Sequence, residues 1–362
     1  MKVAVLGAGA GGAASVVQLV NAGHEVTFWA RSEATIHDHI KSGGVHYEGQ
    51  LGEGLAAPSL ITSDLSLAVQ GADVAIIALP TYSHSSMAAM LAGAKWPSSK
   101  LVILNPGHTG GALDFAESFR RAGASAPPVV EFSTLTYVAR KHRPDGVRVT
   151  GAARQVRSAV LGGSRQHLDV ASQLFPAARP VRDVIASGLS NVNMMLHPPG
   201  AVLSAAWVEA TKGNFTFYCD AMTPGVARVM QALDGERRAV AAAFDLSLPN
   251  LIEEMKAIGT VEDNVADVHD YRSAIAGGEA NSRIMAPDSF QNRYYREDFG
   301  HGLLPFLELA AIAGVKTPTA ESLFNLASAA TGVDYRVDGR TAQLMGIAGL
   351  SKEQLCKKVA VG

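Results

Sequence analysis

The stretch Gly7-Ala8-Gly9-Ala10-Gly11-Gly12 constrains this chain more than any other. It follows an apolar strand pattern, Lys2-Val3-Ala4-Val5-Leu6, and runs into a helical pattern over residues 13–22 with apolar Val16, Val17, Leu19 and Val20. Gly7, Gly9 and Gly12 have G-x-G-x-x-G spacing. One glycine suits a tight turn, one a close approach of backbone to pyrophosphate, and one close helix–strand packing. The helix N-terminus that follows offers free N–H groups and a positive dipole end to phosphate. A second strand pattern at residues 24–29 completes the unit. A Rossmann dinucleotide-binding domain is predicted, with Gly7, Gly9 and Gly12 binding the cofactor.

The end of the second strand bears on which dinucleotide. NAD sites usually place an acid there for the ribose 2′-hydroxyl. This chain reads Thr27-Phe28-Trp29-Ala30-Arg31-Ser32, with no acid before Glu33. Arg31 can meet a 2′-phosphate with a charged fork and Ser32 can add a hydroxyl donor. NADP is therefore expected over NAD; the plainer reading of Arg31 is a solvated loop residue. The βα alternation continues with a short helix over 63–70 capped by Ser63, a strand over 73–79 ending at Pro80, a helix over 83–92 and a strand over 101–104. Continuous apolar runs of this kind suit parallel strands covered on both faces. Ligands bind beyond the carboxyl ends of such strands. The loops at 80–84 and 105–111 are thus expected at the nicotinamide half, with Pro80, Asn105 and Gly107 as contacts. A further strand begins at Val129, and residues 147–151 and 154–161 read as a hairpin.

Composition narrows the class. With 362 residues, 48% hydrophobic and 18% charged, the chain has material for two domains with ample cores. A net charge of −2 gives no reason to expect a nucleic-acid partner. Cys219 and Cys356, the only two cysteines, lack metal or redox spacing and fit a reducing cytoplasm. No apolar run approaches the roughly 18–20 residues of a membrane helix. The N-terminus lacks the features of a signal peptide. No histidine, cysteine or acid spacing suggests a metal.

Character changes just past the midpoint. From about residue 187 the periodicity is near that of a helix, and Thr223-Pro224, Thr317-Pro318 and the capping-box spacing Ser351 to Gln354 mark helix starts. The stretch Ser190-Asn191-Val192-Asn193-Met194-Met195-Leu196-His197-Pro198-Pro199 reads as a helix on which Asn193 and His197 share a face. Pro198 should limit that helix and leave His197 near its C-terminal end. The bland reading of His197 is a helix-end imidazole bonded to a carbonyl. A second unusual segment, residues 292–302, is dense in charge and aromatics and ends in glycines. It reads either as a solvated loop or as the source of two functional groups. Asp298 behind His197 would fix its tautomer and raise its basicity, and Arg293 would clamp a substrate carboxylate. His84 and His108 lie in loops expected to face the ligand.

With these residues in view, the whole chain resembles the opine dehydrogenases, the octopine/nopaline dehydrogenase-like family. The resemblance is carried in order by Gly7-x-Gly9-x-x-Gly12, Leu104-Asn105-Pro106-Gly107 with Gly110-Gly111-Ala112-Leu113, and Ser190-Asn191-Val192-Asn193 leading to His197-Pro198. It continues with Thr223-Pro224, Asp234-x-Glu236-Arg237, Arg293-Tyr294, Glu297-Asp298, Gly302-Leu303-Leu304-Pro305 and Gly339-Arg340-Thr341. The resemblance implies an α/β Rossmann domain over 1–184 and an all-α domain over 185–362, with catalysis in the cleft. It also implies NAD(P)H-dependent reductive condensation of an α-keto acid with the amino group of an amino acid. His197 would be the general acid/base, Asp298 its orienting partner, Arg293 the keto-acid clamp, and Asn193 a substrate-binding neighbour. Arg31-Ser32 departs from relatives that carry an acid there. Other readings are a dehydrogenase of the same architecture that needs no amine, and a non-catalytic NADP sensor. Helical faces such as residues 226–244 suit either a homodimer interface or the core.

Overall fold

In the computed structural model, residues 1–278 and 281–361 are described. The chain divides into two compact units: one of residues 1–107, 111–184 and 361–362, the other of 108–110 and 185–360. The short excursion at 108–110 therefore belongs with the helices, although its flanks belong with the sheet.

The first unit is built on an eight-stranded sheet and a four-stranded one. Its strands are β1 (Lys2–Leu6), β2 (Glu25–Trp29), β3 (Val45–Gly49), β4 (Gly54–Ala56), β5 (Leu60–Thr62), β6 (Val74–Ile77), β7 (Leu101–Leu104), β8 (Val129–Phe132), β9 (Tyr137–Arg143), β10 (Gly146–Ala152), β11 (Val156–Leu161) and β12 (Ala178–Pro180). The large sheet runs β12-β11-β8-β7-β6-β1-β2-β5. From β8 to β5 its pairings are all parallel. This is the doubly wound order, in which the chain leaves β1 in opposite directions on either side. β6, β7 and β8 are buried at every position, as continuous apolar runs covered on both faces must be.

The carboxyl ends lie in register, Leu6 opposite Trp29 and Ile77, and Ile77 opposite Leu104. That alignment brings the loops after β1, β2, β6 and β7 to one edge of the sheet. Two sequence expectations give way here. Residues 147–151 and 154–161 do not form a hairpin: β10 pairs with β9 and β3 in the small sheet, while β11 joins β8 in the large one. The real hairpin turns at Pro144-Asp145, where Asp145 accepts from Arg143 Nε at 2.6 Å. The basic run Arg140-Lys141-His142-Arg143 hid the β9 strand from a hydrophobic reading. The helix Leu65–Val69 is capped by Asp64, which accepts from Ser66 N and Leu67 N at 2.8 and 3.2 Å, rather than by Ser63.

The second unit is helical. Thr223 caps Pro224–Ala243 and accepts from Val226 N at 3.3 Å. Asn250 and Ser351 open the helices Leu251–Ile258 and Lys352–Val359 with capping boxes. The helix Asn193–Leu203 corrects another expectation. It runs through Pro198 and Pro199 to Leu203, so His197 is mid-helix. The two prolines forgo the N–H bonds that positions 198 and 199 would make, and proline's φ is itself helical. Every residue from 194 to 201 is buried, and that packing offsets the lost bonds. Among the described residues no helix is long and apolar enough to cross a membrane.

Candidate active site

Within the first unit, the cofactor candidates gather at the carboxyl edge of the large sheet. Gly7 sits at φ +127°, and a Cβ there would lie 2.4 Å from the carbonyl oxygen of Ala78. A Cβ on Gly12 would lie 1.7 Å from the carbonyl oxygen of Gly7. Only glycine allows the turn and the helix to approach so closely. At Gly9 a Cβ would meet nothing within 4 Å. Gly9 is the N-cap of the helix Ala10–Asn21, whose first turn carries no acid. Open space before free N–H groups fits a pyrophosphate. Arg31 and Ser32 lie just past β2, after the buried Ala30, and are exposed. Pro80 precedes the turn Thr81–Ser83. Asn105, joined by a cis bond to Pro106, donates through Nδ2 to Thr136 Oγ1 at 2.9 Å. Gly107 lies close against the buried Glu131, whose carboxylate also accepts from Ala112 N at 2.7 Å.

The helical unit assembles the second group. Asp298 ends a short turn before a π-helical segment, Phe299–Leu303, closed by a bond from Leu303 N to Asp298 O of 2.8 Å. Such a widened turn re-aims a side chain. Gly302 lies beside the helix of His197, where a Cβ would stand in ordinary contact with Met194 Cβ at 3.5 Å. His197 Nδ1 is 2.5 Å from Asp298 Oδ2, with both side chains about 3% exposed or less. A carboxylate only accepts, so Nδ1 carries the proton and donates. Nε2 of the neutral ring is then an acceptor, and it meets the Tyr218 hydroxyl at 2.8 Å. The Tyr294 ring stacks on the imidazole at 3.8 Å and 18°. Its electron-rich face suits an imidazolium. Asp298 Oδ1 is buried with no hydrogen-bond partner among the described residues.

Arg293, at the start of the short helix Arg293–Arg296, is exposed. Crowding by protein pulls its pKa down, but the carboxylates of Glu297 and Asp298 outweigh this and hold it above arginine's usual value. Its charge is felt at Tyr218, whose hydroxyl is pushed well up by burial, then by Tyr294, with Arg293 acting the other way. Asn193 lies half-buried at the first position of its helix, with Nδ2 3.5 Å from His108 Nε2. Burial lowers the His108 pKa, against the pull of Glu297 and Asp298. Thus His197, Asp298, Arg293 and Asn193 fall in one unit, together with His108. The cofactor candidates fall in the other. Sequence reasoning gave Tyr218 and Tyr294 no role. The only available signal was aromatic density in Phe215-Thr216-Phe217-Tyr218 and beside Arg293, off any helical period. His84 is buried against Phe115, away from solvent. Among the described residues no group of three histidines, cysteines or acids could hold a metal.

A doubly wound sheet opening on a glycine turn, followed by helices carrying a buried histidine–aspartate pair, defines an NAD(P)-dependent oxidoreductase of two units. Residues 3–156 match the family model of the ketopantoate reductases PanE/ApbA, and residues 180–331 match that of the NAD/NADP octopine/nopaline dehydrogenase alpha-helical domain. An opine dehydrogenase of Arthrobacter sp. (strain 1C) is 34% identical over 350 residues, 96% of each chain. The chain belongs to the opine dehydrogenase family. Two solved structures share its fold. Octopine dehydrogenase with NADH and L-arginine superposes with a TM-score of 0.79 at 21% identity, covering 98% of this chain and 97% of that one. Yersinopine dehydrogenase with NADP+ gives 0.75 at 15%, covering 96% and 97%. The reaction is the NAD(P)H-dependent reductive condensation of an α-keto acid with the amino group of an amino acid, and its reverse.

Proposed function

We propose that His197 is the general acid/base of this condensation, Asp298 its orienting carboxylate, and Arg293 the cation that holds the keto acid, a small one such as pyruvate. The observation that carries this reading is the 2.5 Å contact between His197 Nδ1 and Asp298 Oδ2 in a buried setting, with an exposed arginine five residues before Asp298. Loss of water from the carbinolamine needs a proton delivered to its hydroxyl; the reverse needs that proton removed. An imidazole held in one tautomer by a carboxylate serves both directions. The charge of Asp298 stabilises the imidazolium. The bound nicotinamide supplies the hydride that reduces the iminium carbon. Arg293 fixes the keto-acid carboxylate through a bidentate fork and so aligns its carbonyl carbon. Asn193, on the same helix face as His197, bonds the substrate's polar groups.

For the cofactor, residues 1–184 act as the binding domain, with Gly7, Gly9, Gly12, Pro80, Asn105 and Gly107 lining the dinucleotide. Arg31 and Ser32 select NADP; their exposure beyond β2, with no acid before Glu33, supports this. Residues 185–362 act as the substrate domain. The protein works in the cytoplasm, as two cysteines with no pairing support, and as a homodimer. The test is NADPH and NADH oxidation, followed by absorbance, with pyruvate and a panel of amino acids, each supplied alone and together. Oxidation that needs both substrates is expected, with a product mass equal to the sum of the two less water plus two hydrogens. Oxidation with keto acid alone overturns the amine requirement.

A further inference from the structure

The imidazole that must exchange protons with the substrate has no uncovered nitrogen. Asp298 occupies Nδ1, and the Tyr218 hydroxyl occupies Nε2 at 2.8 Å. The Tyr294 ring lies flat on the imidazole, and Phe217 stands edge-on to it at 6.1 Å. The histidine side chain is 3% exposed. The group next to Nε2 is thus the hydroxyl of Tyr218, a residue itself 5% exposed. We propose that the Tyr218 hydroxyl is a catalytic relay, passing the proton between His197 Nε2 and the reacting atom of the substrate. This rests on the acid/base role given to His197 above.

A phenol hydroxyl suits the task because it accepts one hydrogen bond while donating another. In the dehydrating direction the Nε2–H bond of the imidazolium breaks as a new O–H bond forms on Tyr218. The original O–H bond of Tyr218 breaks in the same event, and its proton goes to the carbinolamine hydroxyl. That hydroxyl leaves as water while the nitrogen lone pair forms the iminium. The positive charge thus moves from imidazolium to iminium, and Tyr218 ends as it began. Burial disfavours a free phenolate at Tyr218, so the two transfers are coupled. The nearby Arg293 cation steadies the negative charge that develops on the phenol oxygen during transfer. The Tyr294 hydroxyl, 3.5 Å from that of Tyr218, extends the same line.

Tyr218→Phe keeps the ring and removes the hydroxyl, with its bond to His197 Nε2. With folding checked by thermal unfolding and cofactor binding, kcat should fall about 100-fold, with KM for both substrates little changed. The acid-side limb of the pH–rate profile should shift and the solvent isotope effect should change. An unchanged or raised kcat, with lower KM, would instead mean that the phenol only fills the substrate's place, and overturns the relay. A second variant carries fluorotyrosine at position 218, with the same shape and a more acidic hydroxyl. A rate that follows phenol acidity supports the relay; an unaltered rate overturns it. His197→Asn separates the two readings. If it is inactive while Tyr218→Phe turns over normally, only the relay fails. If it keeps wild-type activity, the acid/base role fails first and the relay with it.

Discussion

Asp298 commits one carboxylate oxygen to His197 and keeps the other buried without a hydrogen-bond partner among the described residues. Burying a carboxylate oxygen without a partner is costly, and the orienting role proposed for Asp298 gives that cost a reason. Asp298→Asn preserves shape, removes the charge, and can present an N–H where His197 needs an acceptor. The kcat should fall about 10²- to 10⁴-fold, while cofactor affinity, measured by fluorescence titration, stays unchanged. Equal loss of cofactor binding would point to a structural role instead. Arg293→Lys keeps the charge but loses the fork; KM for the keto acid should rise about tenfold, and KM for the amino donor much less. Arg31→Ala should raise KM for NADPH about tenfold and leave NADH nearly untouched. If both cofactors suffer alike, Arg31 does not read the 2′-phosphate.

At the scale of elements, the structure depends on a few places where no side chain fits. A methyl on Gly12 would fall 1.7 Å from the Gly7 carbonyl oxygen, both of them backbone. Gly12→Ala should destabilise the sheet unit by about 3 kcal/mol and abolish nucleotide binding, read by denaturant unfolding and titration. Gly200 is subtler: a Cβ there would lie 2.6 Å from Phe217 Cζ, and Phe217 flanks both His197 and Tyr218. Gly200→Ala should therefore lower kcat by more than its stability change accounts for.

The strands β6 and β7 were legible because fully buried strands read as unbroken apolar runs, and β1 and β2 because they flank the glycine turn and its helix. The small sheet was not, since β9 is basic and only half covered, and β4 has three residues. The pairing of His197 with Asp298 was legible as chemistry, from two unusual segments that needed a reason. The partnership with Tyr218 was not. It depends on a loop with no periodicity, and on a helix that runs through Pro198 and Pro199 instead of stopping.

At the scale of the whole molecule, buried imidazoles set the acid limit. Burial lowers the pKa of His39, His108 and His301 below the ordinary 6.5. For His301 burial comes first, then Arg340 and His108, and they carry it to about 3. Between those two values the unfolded chain binds the proton that the folded one refuses, so stability rises with pH and is lost on acidification. From pH 7 to pH 5.5 His301 alone costs about 1 kcal/mol. Denaturant midpoints should fall over that interval, and His301→Gln should flatten the slope. A flat profile in the parent protein would contradict neutral burial.

The decisive measurement is product formation by the protein and by His197→Asn, with NADPH, pyruvate and a panel of amino acids, each product weighed by mass spectrometry. A secondary amine dicarboxylate from the parent protein, with the variant slower by about 10²-fold or more yet still binding NADPH, is the expected result. Equal rates of condensation in the two proteins would contradict the assignment of His197.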